Sequence, residues 1–152
     1  MLAKADPTKI QNYTTVRAQF DEQVARERLE WAAKNDVEWY VYIEEGEVLA
    51  WGLISWRGKE TVPDYPDLFD LYVREDARSR GIGTALISSL EDLVRAKGFT
   101  KIGLAVNPTD NPHALQLYQR LGYKIINDVP YLEGVYDGNE DWCVDMEKSL
   151  SP

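Results

Sequence analysis

One segment limits the fold more than any other. Residues 68–73 read as a strand, and residues 81–97 carry an apolar helical face through Ala85, Leu86, Ile87, Leu90, Leu93 and Val94. Between them lies the turn Arg78-Ser79-Arg80-Gly81-Ile82-Gly83-Thr84. A strand that feeds a helix through a glycine turn calls for a sheet with a helix on its face. Gly98 is a natural stop for that helix. Gly81 and Gly83 lack Cβ atoms, so a ligand can come close to the backbone there. The first helical amides have no intrahelical acceptor and lie at the positive end of the helix dipole. Such a turn binds phosphate, and Arg78 and Arg80 add charge to it.

Three readings compete for this turn. A P-loop needs a Gly-Lys-Ser/Thr ending, which is missing. A dinucleotide fingerprint needs a third Gly or Ala at position 86, which is Leu86, and it normally lies near the domain start. A purely structural tight turn is the third. The glycine pair does not choose between them; its context must.

The rest of the chain extends the pattern. Residues 2–5 read as a short first strand. Residues 14–35 read as a helix, with Val16, Phe20, Val24, Leu29 and Trp31 at roughly helical spacing. Residues 39–43 and 48–56 are β-rich and joined by Glu44-Glu45-Gly46-Glu47, a hairpin signal. Residues 101–106 read as a strand. Residues 112–121 read as a helix, with Pro112 in its first turn and Gly122 past its end. Residues 123–127 read as a strand, followed by a polar loop holding Gly134 and Gly138, then a last strand over 141–146. No repeat or long linker divides the chain, so residues 1–152 are expected to form one α/β domain of the α+β type. Its mixed central sheet would have helices on its faces.

Charge and composition narrow the function. The chain has 17 basic and 26 acidic residues and a net charge of −9. That disfavours nucleic acid or an anionic membrane as the main partner and suits a cationic substrate, though solubility alone also explains it. No apolar run approaches the roughly 20 residues of a membrane span. The N-terminus has no apolar signal-peptide core, so a reducing, cytoplasmic setting is expected. The single cysteine, Cys143, has no internal partner, and no Cys/His spacing suggests a metal. Arg78, Arg80, Arg95, Lys97 and Lys101 form a basic island in this acidic chain, which suggests one local anion site.

Two motifs give the turn its context. Leu71-Tyr72-Val73 followed by Arg78-x-x-Gly81-x-Gly83 resembles motif A of the GNAT N-acetyltransferase superfamily. Asn111-x-x-Ala114-x-x-Leu117-Tyr118-x-x-x-Gly122-Tyr123 resembles its motif B. The resemblance implies a GNAT fold, with a mostly antiparallel sheet of six to seven strands flanked by helices. It implies acetyl-CoA as co-substrate, with its pyrophosphate on Arg78, Ser79, Arg80, Gly81, Ile82, Gly83 and Thr84. It implies pantetheine pairing with Leu71, Tyr72 and Val73 where their strand splays at a bulge, a cofactor contact from Asn111, and Tyr118 near the sulfur as general acid. No metal is required, and a homodimer is left open.

The chemistry agrees with those roles. An amine attacks a thioester only when neutral, so an acid residue or a water chain must take its proton. The oxyanion needs a donor, which strand amides at a bulge can supply. Asp67 and Asp70 are the candidate bases; if their strand is regular, their odd–even offset puts them on opposite faces. Either can also be structural: Asp67 as a solvated strand start, Asp70 as a hydrogen-bonded buried acid. Tyr118 could instead be a core tyrosine, His113 suits a surface helix start, and Cys143 suits the core. The tryptophans Trp31, Trp39, Trp51, Trp56 and Trp142 are expected mostly in the core, while Trp56, Tyr65, Tyr131 and Tyr136 could line an acceptor pocket. The expected reaction is acetyl transfer to the primary amine of a small, cationic acceptor. The alternatives are acetylation of a protein N-terminus or lysine, and a non-catalytic acyl-CoA sensor.

Overall fold

The computed structural model describes residues 1–151. In chain order the elements are β1 (Leu2–Lys4), a 3-10 helix (Pro7–Tyr13), α1 (Glu22–Lys34), β2 (Val37–Glu44), β3 (Glu47–Ser55) and β4 (Asp67–Val73). A short 3-10 turn (Glu75–Ala77) leads to α2 (Ile82–Ala96), β5 (Lys101–Val106), α3 (Pro112–Arg120), β6 (Lys124–Tyr136) and β7 (Asn139–Ser149). The strands form one seven-stranded sheet in the order β1-β2-β3-β4-β5-β7-β6. All neighbours are antiparallel except β4 and β5. This is the mixed, mostly antiparallel α+β architecture expected from the sequence.

Strand alternation sorts the core into two layers. On one face Leu68, Ile102, Leu104, Val144 and Met146 pack with Leu86, Ile87, Leu90 and Val94 of α2. On the other, Trp39, Val41, Trp51 and Leu53 pack with Tyr13, Val16, Phe20 and Ala25 from the 3-10 helix, the following segment and α1. That second face is covered over β2, β3 and the Phe69–Tyr72 stretch of β4, which leaves its β5-β7-β6 half open to the loop between β3 and β4.

Two expected elements differ. The helix expected over 14–35 begins only at Glu22, because Gln19 takes a left-handed φ of 63° and Asp21 caps the new start by accepting from the Val24 amide. Val16 and Phe20 are buried from an irregular segment, while Val24 and Trp31 face outward. The polar loop expected after residue 127 is instead a long hairpin. Asp137 and Gly138 have φ of 51° and 80°, which makes the tight two-residue turn that Asp-Gly favours, and β6 runs up to it.

Candidate active site

The β4–β5 pair opens into a fork. Its ladder holds only Asp67↔Gly103 and Leu68↔Leu104. Past that point β4 bends away, because it carries a bulge. Phe69 pairs with Leu53 and Tyr72 with Trp51, so Asp70 and Leu71 both stand opposite Gly52. Asp70 has φ of 46°, a left-handed conformation rarely taken by a non-glycine residue in a strand. A Cβ on Gly52 would lie 2.7 Å from Leu71 Cδ2, so the glycine makes room for the displaced strand.

The bulge corrects one expectation. Asp67 and Asp70 lie on the same face, opposite α2, because the extra residue shifts the parity of the strand between them. Leu71 and Val73 accordingly pack toward α2, and Phe69 and Tyr72 toward the α1 layer.

A cleft of about 800 Å³ runs along the α2 side of the fork. Leu71, Tyr72 and Val73 line it, as do Arg78, Ser79, Gly81, Ile82, Gly83, Thr84, Asn111 and Tyr118. Ser79 and Gly81 both have positive φ, 63° and 78°, which turns the chain sharply into α2. No side chain caps α2, and nothing lies within 4 Å of where a Gly81 Cβ would stand. The amides opening the helix therefore face a cradle that no protein side chain fills, which fits a pyrophosphate. Arg78 donates from Nε to the Val73 carbonyl at 3.0 Å and lies over the Tyr72 ring. Arg80 is the one expected turn residue that does not line the cleft; its guanidinium pairs with Glu44 at 2.8 Å.

α3 closes the other wall. Asn111 caps it by accepting from the Ala114 amide at 3.3 Å, and Pro112 follows in the first turn. Tyr118 lies about two turns past Asn111, half-buried, with its ring 6.1 Å from that of Tyr123. Burial pushes its phenol up to about 12, so it stays protonated at neutral pH. His113 sits exposed at the helix start, on the rim of the cleft.

The two acids have different surroundings. Asp67 is buried at the apex of the fork, with its Oδ1 3.5 Å from where a Gly103 Cβ would be. Lys59 reaches up from the β3–β4 loop, with Nζ 3.3 Å from Asp67 Oδ1 at ion-pair distance but without hydrogen-bond alignment. The same ammonium donates to Asp145 at 2.9 Å, and the Tyr131 hydroxyl donates to Asp145 at 2.7 Å. Burial pushes the Asp67 carboxyl up to about 6; Lys59 opposes this, and the charges of Asp145 and Glu133 add to it. Burial also acts on Asp145, but the Tyr131 and Lys59 hydrogen bonds outweigh it and hold that carboxyl low. Asp70 has both oxygens taken, by Arg17 at 2.7 Å and Arg28 at 2.5 Å.

Several of these partners escaped the sequence reading. Asp145 and Glu147 alternate with the core residues Val144 and Met146 along β7, and that period of two was the available signal. Lys59, Arg17 and Arg28 lie in irregular or surface-patterned segments and gave none. Tyr65 and Tyr131 do face the open half of the sheet, where they donate to Glu147 and Asp145. Trp56 does not: it packs in the α2 layer against Phe99. Trp39 and Trp51 are core as expected, whereas Trp31 and Trp142 are 47% and 45% exposed. Cys143 is buried in β7. Among the described residues there is no cluster of potential metal ligands, and no helix is long and apolar enough to cross a membrane.

The fork, the uncapped turn and the tyrosine wall define a class of protein. The Acetyltransferase (GNAT) family model matches residues 8–123, and the chain belongs to that family. A Pseudomonas aeruginosa L-methionine sulfoximine/L-methionine sulfone acetyltransferase is 31% identical over 86 residues, which cover 56% of this chain and 49% of that protein. The chain thus spans about half the length of the curated relatives it matches. An N-acetyltransferase from Staphylococcus aureus has the same fold, with a TM-score of 0.74 at 18% identity over 99% of this chain and 98% of that one. A phosphinothricin acetyltransferase from Sinorhizobium meliloti, solved with acetyl-CoA, superposes at a TM-score of 0.71 and 21% identity over 99% and 88%.

Proposed function

We propose that this chain is an acetyl-CoA-dependent N-acetyltransferase that acts on the primary amine of a small acceptor carrying positive charge. One observation carries the reading: a single cleft connects an uncapped, glycine-opened helix N-terminus to a β4–β5 fork with unpaired strand edges and a protonated tyrosine beside it. An anionic diphosphate at one end and an extended amide-bearing arm along β4 satisfy both features.

When bound, acetyl-CoA supplies the acyl thioester. The chain supplies the rest. Amides of β4 at the bulge donate to the thioester oxygen as it gains charge. Tyr118 donates a hydrogen bond to the sulfur. Burial keeps the phenol protonated at neutral pH, so Tyr118 can hold negative charge on the departing sulfur and serve as its general acid. Asp67, rather than Asp70, accepts the amine's proton through water, because it is raised toward neutrality while Asp70 is locked between two guanidiniums.

The acceptor approaches from the open half of the opposite face. Glu133 there has no ion pair among the described residues, yet its charge reaches Asp67, Tyr131, Tyr136 and Cys143. An unpaired carboxylate beside the fork favours a cationic amine. The Pseudomonas relative's named substrates are small amines, which supports a small acceptor over a protein. Calorimetry with acetyl-CoA, followed by thiol release across a panel of small amines and basic peptides, tests the reading. No binding of acetyl-CoA overturns it, and turnover confined to peptides replaces the acceptor class.

A further inference from the structure

The strained residue in β4 does not stand alone. Asp70 reaches into the α1 layer, where Arg17 and Arg28 each take one of its oxygens. Both guanidiniums are fixed by aromatic rings. Arg17 lies 5.1–5.5 Å from the centroids of Phe20, Trp51 and Tyr72. Arg28 lies 5.0–5.3 Å from those of Phe20, Trp39 and Trp51. Trp39 and Trp51 are themselves buried core residues, so the cage cannot shift without the sheet.

This arrangement is a poor way to gain stability. Two cations share one anion in a largely apolar layer, and Arg28 Nη1 is sealed from solvent with no acceptor. Burial lowers the Arg28 pKa despite the Asp70 charge, which marks the cost of holding it there. A left-handed aspartate in a strand adds its own cost. Both costs fall on the residue that makes the β4 bulge, and the β4–β5 ladder ends two residues before it.

We infer that Arg17 and Arg28 are positioning residues for the cofactor fork. Their joint grip on Asp70 keeps residue 70 left-handed, which keeps β4 bulged and its edge clear of β5. Without the grip, any residue but glycine at 70 relaxes toward ordinary extended backbone, the ladder past Leu68↔Leu104 can zip up, and the fork narrows. The inference rests on the reading of the fork as the acetyl-CoA site. An alternative use of the two arginines, binding an acid group on the acceptor, is disfavoured because the free Nη1 of Arg28 is out of reach of solvent.

The test separates backbone from charge. Asp70→Gly and Asp70→Ala both abolish the grip, but only glycine tolerates positive φ freely. Calorimetry should find acetyl-CoA affinity within about threefold of wild type for Asp70→Gly and at least about tenfold weaker for Asp70→Ala. Arg17→Met keeps the packing on the rings and removes the charge; it should weaken acetyl-CoA at least about tenfold, and Asp70→Gly added to it should restore most of that loss. A crystal structure of Arg17→Met should show residue 70 out of the left-handed region. Equal affinity for the glycine and alanine variants, or a raised acceptor KM with unchanged acetyl-CoA affinity, would overturn the inference. So would an Arg17→Met structure with the bulge intact. If wild type binds no acetyl-CoA, the cofactor reading fails, and that structure alone still decides whether the arginines hold the bulge.

Discussion

Replacing Asp67 with asparagine should stabilise this protein at neutral pH while slowing it. The carboxyl is raised from 3.8 to about 6 in the folded state, chiefly by burial. Between those values the unfolded chain has lost the proton and the native chain still holds it, so this group's contribution to stability falls as pH rises. At 1.36 kcal/mol per pH unit, the raise amounts to about 3 kcal/mol of native-state cost, fully present above pH 6 and absent below about pH 4. The Asp67→Asn change keeps the size and removes the charge, and Lys59 still has Asp145 at 2.9 Å, so no new unpaired ion results. Urea unfolding of both proteins from pH 4 to 8 reads the difference directly. The variant should match wild type near pH 4 and exceed it by about 3 kcal/mol at pH 7.5, or about 10 °C in Tm. Other carboxylates give the opposite slope, but they cancel in the comparison. In kcat/KM, wild type should fall below about pH 6, and the variant should lose that limb along with most of its activity. A stability difference that is flat across pH, or a variant less stable at pH 7.5, would refute the buried-charge account.

Tyr118→Phe should lower turnover about 100-fold with acetyl-CoA affinity unchanged, as measured by steady-state kinetics beside calorimetry. Gly81→Asp should weaken acetyl-CoA about 100-fold or more by placing a carboxylate in the open cradle at the α2 N-terminus, with the far-ultraviolet circular dichroism of wild type retained. Lys148→Ala should cost about 3 kcal/mol in urea unfolding, because it leaves buried Glu91 with only the Tyr123 hydroxyl for a partner. Gly52→Ala should cost about 1–3 kcal/mol by forcing a methyl group against Leu71 and Leu90.

The sequence carried the turn and the α3 wall of the cleft well and the acid cluster at the fork poorly, for a physical reason. The turn around Gly81 and the α3 cap at Asn111 are local devices, built from residues a few positions apart, and their chemistry is written in order along the chain. The acid cluster is not local. Lys59, Asp67, Tyr131 and Asp145 meet only because the β3–β4 loop folds under the sheet and β7 inserts between β5 and β6. Helix α1 misled for a related reason. Val16 and Phe20 fall at helical spacing with Leu29, but the left-handed Gln19 lies between the two and the helix starts only past the Asp21 cap, and local periodicity cannot register a reversal of φ.

Two oddities visible in the sequence explain each other only in three dimensions. Gly52 interrupts an otherwise large-residue strand with no turn nearby, and Asp70 interrupts an apolar one. Taken singly, each weakens its strand. Across the β3–β4 ladder they meet. The extra residue at 70 throws Leu71 over position 52, where only a glycine leaves space, and the aspartate that forms the bulge finds two arginines beneath it. The bulge then shifts the parity of β4, so that Leu71 and Val73 turn toward α2 and the cleft while Asp67 stays on the opposite face at the fork's apex. A regular β4 would pair further along β5, which would close the gap that now lies between the two strands past Leu68↔Leu104.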